Sequence, residues 1–219
     1  WYKFHGSDKD GWPYISFDFA KGHGSNKQIS VEGEDGDQEY IKGDWQAGGG
    51  LAYYYLASIS GKKTYLTDYL YPLMDRLVAL FDANPFEGAV PGFHGEVPIS
   101  FGNDDFALVT LLGAFKASGN KKYYETAKSR IYDFLKYWDE PTGRFPSLAG
   151  TFVSGITLKV FADLEESMGK KADPKILDAI RKVAMGGLSV QAFDYNEPRV
   201  HGGFWGQSEY EVGRDRIHH

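Results

Sequence analysis

Three times along this chain, a helix-length stretch almost free of charge runs into a glycine-containing turn and then into an amphipathic stretch. The nearly uncharged members are residues 51–59 (LAYYYLASI), 106–115 (FALVTLLGAF) and 152–164 (FVSGITLKVFADL). The turns are Ser60-Gly61-Lys62-Lys63, Ser118-Gly119-Asn120-Lys121-Lys122 and Met168-Gly169-Lys170-Lys171. Residues 64–81, 123–138 and 173–185 are the amphipathic members. A helix apolar all round is buried on all sides, whereas an amphipathic one keeps a solvent face. Alternation at a period of roughly 50–60 residues predicts an all-α ring of helical hairpins, with inner helices enclosed by outer ones. The hairpins are expected at 46–82, 103–139 and 150–186 of a single domain spanning 1–219, with inner-helix ends around one central pocket.

Local chemistry supports this reading. Glycine adopts a left-handed backbone at little cost, and Gly61, Gly119 and Gly169 stand where an inner helix must end and the chain reverse. Asp173-Pro174 offers a capping carboxylate followed by proline at the first helical position, and Gly186-Gly187 follows the last turn. Tyr124, Ala127, Ile131, Phe134, Leu135 and Trp138 share one helical face, with Lys128, Asp133 and Lys136 away from it. Pro72 falls inside an outer helix, where its missing N–H predicts a kink or a late start. Gly48-Gly49-Gly50 opens an inner helix and predicts close helix packing. The loops 18–45 and 84–103 exceed the ~12–15 residues of an ordinary connector. In the first, 17–19 and 29–31 are expected to pair as a small β-hairpin. Loops of an acid-then-glycine type (Glu140-Pro141-Thr142-Gly143-Arg144-Phe145 is one) lead into each inner helix. They extend the pattern to both ends, so the chain is expected to be part of a longer ring.

Composition narrows the function classes. At 219 residues with 42% hydrophobic content the chain can bury a substantial core. A net charge of −6 with interspersed acids and bases gives no basic patch for nucleic acid. No apolar run approaches the ~20 residues of a membrane span. There is no cysteine, hence no disulfide, thiol nucleophile or thiolate metal site. His-x-x-x-His and His-Glu-x-x-His spacings are missing, and no glycine-rich phosphate fingerprint occurs, so neither a metal nor a cofactor is expected. Localisation stays open between periplasmic or secreted and cytoplasmic. Aromatics make up 16%, with 15 Tyr and 5 Trp, a supply that suits stacking on sugar rings.

The uncharged inner helix, the Gly-Lys-Lys turn, the Tyr-rich outer helix and the Glu-Pro-Thr-Gly-Arg-Phe loop together resemble the α/α toroids. That superfamily contains the six-hairpin glycosidases and related polysaccharide lyases and sugar epimerases. The resemblance covers 46–205 and is architectural; no catalytic motif of these families matches. It implies an α/α toroid with a pocket at the N-terminal ends of the inner helices. Terpenoid cyclases and protein prenyltransferases share the helical ring, and Gly202-Gly203-Phe204-Trp205-Gly206-Gln207 is similar to their glycine–aromatic repeats. Gly102-Asn103-Asp104-Asp105 departs from the cyclase Asp-x-Asp-Asp motif, and no Cys and His pair supplies a prenyltransferase zinc site.

Candidate chemistry lies in the loops feeding the inner helices. Asp104 and Asp105 stand immediately before 106–115. Either can cap that helix, but one is also the candidate acid or nucleophile for glycoside cleavage, which takes two carboxyls flanking the bond. Glu96 is the favoured second carboxyl, with Asp44 and Glu209 as alternatives. His94, in Gly92-Phe93-His94-Gly95-Glu96, is the alternative base, as in the lyases, where a Tyr often partners it. The polar run 206–219 supplies Gln207 and two arginines, Arg214 and Arg216, whose forks match a uronic carboxylate. Trp45 and Trp205 are candidate stacking platforms. The expectation is cleavage of a poly- or oligosaccharide, hydrolysis ahead of lyase chemistry. Its rivals are a terpenoid or prenyl-type enzyme and a non-catalytic helical-repeat scaffold that associates through exposed hairpin edges.

Overall fold

The structure is a computed structural model that describes the backbone of residues 16–18, 22–25, 27–29, 35–39, 49–83, 101–137, 148–188, 204–205 and 217–218. Side chains are described for 22, 49–83, 106–133, 135, 155–186 and 188. The body of this part is all-α. Its helices are α1 (Gly50–Ser60), α2 (Tyr71–Ala83), α3 (Phe101–Ser118), α4 (Lys121–Tyr137), α5 (Leu148–Ser167) and α6 (Pro174–Leu188). They fall in pairs where the alternating pattern predicts hairpins. The chain divides into two compact units, Trp1–Thr126 and Ala127–His219, with the division inside α4.

In the first unit, α1 ends at Gly61, whose φ of 69° is left-handed and whose N–H bonds the Ala57 carbonyl at 2.9 Å. The Ser60 hydroxyl reaches back to the Leu56 carbonyl and accepts the Lys62 N–H at 3.2 Å. The second turn repeats this chemistry: Gly119 (φ 71°) bonds Phe115, and Ser118 bridges Ala114 and the Asn120 N–H. Asn120 then caps α4, its Oδ1 accepting the Lys122 N–H at 3.1 Å.

Pro72 leaves its mark ahead of α2. It has no N–H, and its ring crowds the carbonyl four residues back. The chain accommodates this with a π turn, Leu66–Leu70, closed by the Tyr71 N–H on the Leu66 carbonyl. Beyond it, Leu73, Met74, Leu77, Val78 and Phe81 are buried at helical spacing. Ala107, Leu108, Leu111, Leu112 and Ala114 of α3 complete this core.

Gly50 explains how closely α1 approaches. A Cβ there would sit 2.8 Å from Thr110 Cγ2 and 3.1 Å from Leu70 Cδ1. Thr110 cannot easily swing away, because its hydroxyl is held on the Phe106 carbonyl at 2.7 Å.

One expectation fails here. An uncharged inner helix was expected to be enclosed, yet α1 turns Ala52, Tyr55, Leu56 and Ile59 outward along one face. Tyr55 is 58% and Ile59 84% exposed. Among the described elements, α1 packs on the π turn and α3. Lack of charge makes burial inexpensive, but only a facing element produces it.

In the second unit α5 packs against α6. A Cβ on Gly155 would lie 3.0 Å from Val183 Cγ1. Leu158, Phe161, Ala162, Ile176, Ala179 and Val183 are buried, together with Ala127 and Ile131 of α4. The turn is a Schellman motif: Gly169 (φ 74°) bonds Glu166 at 2.9 Å and the Lys170 N–H bonds Glu165 at 3.0 Å. α5 also departs from enclosure, since Ile156 is 58% exposed beside the solvent-facing pair Lys159–Asp163.

Short strands pair antiparallel: β1 (Ser16–Asp18) with β2 (His23–Ser25), β3 (Lys27–Ile29) with β4 (Asp35–Glu39), and β5 (Phe204–Trp205) with β6 (Ile217–His218). The hairpin expected between 17–19 and 29–31 is therefore re-paired. Gly22, at φ 68°, turns the chain early enough for Phe17 to face Gly24, and Ile29 faces Asp35 instead.

Candidate functional site

Asp104 and Asp105 lie inside α3, as its fourth and fifth residues, rather than immediately before it. Helical geometry starts at Phe101, so neither is the N-cap, and both positions fall in the opening turns, where the helix dipole favours an acidic residue. Their side chains lie outside the described residues. So do His94, Glu96, Trp45, Gln207, Arg214 and Arg216, and the alternative carboxyls Asp44 and Glu209. Trp205 is described in its backbone only, in β5 opposite Ile217. Ile217 and His218 form its partner strand β6.

The polar chemistry that the described residues bring together centres on two tyrosines of α4. Tyr123 donates its hydroxyl to Asp75 Oδ1 of α2 at 2.9 Å, with the Tyr71 carbonyl 3.4 Å away. Its ring stacks on Tyr71 at 6.3 Å. Tyr132 donates to Asp173 Oδ2 at 2.5 Å, and its ring meets Phe161 edge-on at 6.4 Å. Asp173 serves twice, because its Oδ1 accepts the Lys175 N–H at 2.8 Å as the cap of α6. The Lys128 ammonium lies 5.9 Å from the Tyr132 ring centre, within cation–π range. Nearby, Glu165 is buried, with Lys170 Nζ 3.8 Å from its Oε1.

These environments set the proton affinities. Burial first, and then the hydrogen bond to Asp75, hold the Tyr123 phenol far above its ordinary value. Burial and the bond to Asp173 do the same for Tyr132. The Tyr132 hydroxyl in turn, with the Lys175 N–H behind it, holds the Asp173 carboxyl below the usual range. A tyrosine that acts as a base must part with its proton near the working pH. Tyr123 and Tyr132 are displaced the opposite way, so they act as permanent donors that tie α4 to Asp75 and to Asp173. Neither suits the role of a general base.

Among the described residues, no group of three His, Cys, Asp or Glu side chains is arranged to hold a metal ion. No described helix is long and apolar enough to cross a membrane. Sequence reasoning found the Asp173 cap but missed both tyrosine clamps. The positions of Tyr123 and Tyr132 on α4 carried no signal of their acceptors, which lie 48 and 41 residues away. No protein-family model, curated protein or solved structure matches the chain.

Proposed function

We propose that the chain belongs to an α/α toroid that cleaves a poly- or oligosaccharide, by hydrolysis in preference to β-elimination. The observation that carries the reading is the succession of paired helices, nearly uncharged then amphipathic, joined by turns on left-handed glycines. Asp104 and Asp105 in the opening turns of α3 supply the acid or nucleophile, Glu96 the second carboxyl, and His94 the alternative base. Trp45, Trp205, Gln207, Arg214 and Arg216 bind the glycan.

A glycan panel assayed for new reducing ends and for ultraviolet-absorbing unsaturated products tests the proposal. Reducing ends without the chromophore are expected, and Asp105→Asn is expected to lower the rate by at least about 100-fold, the scale of lost acid–base catalysis. Both signals together indicate a lyase. Neither signal, or full activity in Asp105→Asn and Asp104→Asn alike, overturns the assignment. A second reading, a non-catalytic scaffold that associates through a hairpin edge, is favoured by one observation: the outward apolar face of α1.

A further inference from the structure

We draw no further inference here: the strongest candidate, the uncharged face of α1 that leaves Tyr55, Leu56 and Ile59 exposed on the first hairpin, has nothing among the described residues to show what covers it.

Discussion

In the first hairpin the leading helix α1 carries no charged residue and turns Tyr55, Leu56 and Ile59 outward. In the third, α5 places Lys159 and Asp163 on its outward side, the ammonium bonded to both carboxylate oxygens at 2.5 and 2.6 Å. Both hairpins use a glycine in the first helix for close approach and a left-handed glycine for the turn. Their second helices begin differently. Pro174 sits directly behind the Asp173 cap, where its missing N–H costs nothing, and α6 is regular. Pro72 comes further in and forces a π turn that no side chain caps. The same residue type is thus a helix starter or a helix disturbance according to its offset from the turn. Likewise, an uncharged helix is enclosed or exposed according to its neighbours.

The largest expected effect comes from removing the device that the first hairpin lacks. Asp173→Ala deletes the α6 cap and strands the Tyr132 hydroxyl, so denaturant unfolding should show a loss of about 2–3 kcal/mol. Asp173→Asn keeps a cap and should lose less. It should also change the pH response. The folded Asp173 carboxyl is held below its ordinary value of about 4, so its contribution is present above that pH and lost as pH falls through the folded pKa. The asparagine variant should lack this part of the acid-induced loss; an unchanged acid slope would refute the clamp.

Substitution of the two approach glycines comes next. Gly50→Ala drives a methyl against the immobilised Thr110 and should cost about 1–3 kcal/mol. Gly155→Ala meets only Val183 and gains about 1 kcal/mol of helix propensity, so its net effect should be the smaller. Thermal unfolding of both variants measures the gap, and equal losses would erase this difference between the hairpins.

The smallest effects lie on the outward faces. Lys159→Ala should cost about 0.3–0.5 kcal/mol, as exposed pairs one helical turn apart do, and less in high salt. Ile59→Lys should change stability by no more than about 0.5 kcal/mol if the α1 face meets solvent. A loss of several kcal/mol in urea unfolding would show that face to be buried.

Much of the helical plan was legible in sequence because it rests on local chemistry. Gly61, Gly119 and Gly169 could be read as turn points since a left-handed residue is costly for anything with a Cβ. Asp173-Pro174 carried its cap in two adjacent residues, and Gly50 announced a close contact by having no side chain. Pro72 predicted a disturbance but not its π form, which depends on how the preceding turn can widen. The start of α3 at Phe101 escaped because glycine, asparagine and aspartate are weak helix formers, while the helix dipole compensates acids in an opening turn. The exposure of α1 and the Asp75 and Asp173 clamps were hidden for another reason. They depend on which elements meet, and composition within one helix does not encode its neighbours. The candidate site was legible only as residue types in entry loops, and Asp104 and Asp105 alone of its carboxylates fall on a described element.

Amide hydrogen exchange resolved by segment tests the central claim, a repeated helical hairpin with a left-handed glycine at each turn. Slow exchange is predicted through 73–81, 108–115, 123–131, 158–164 and 176–183, interrupted by fast exchange at the Lys62-Lys63 and Lys171-Ala172 turns. Fast exchange throughout any one of α2, α4 and α6, or unbroken protection across a turn, would contradict it.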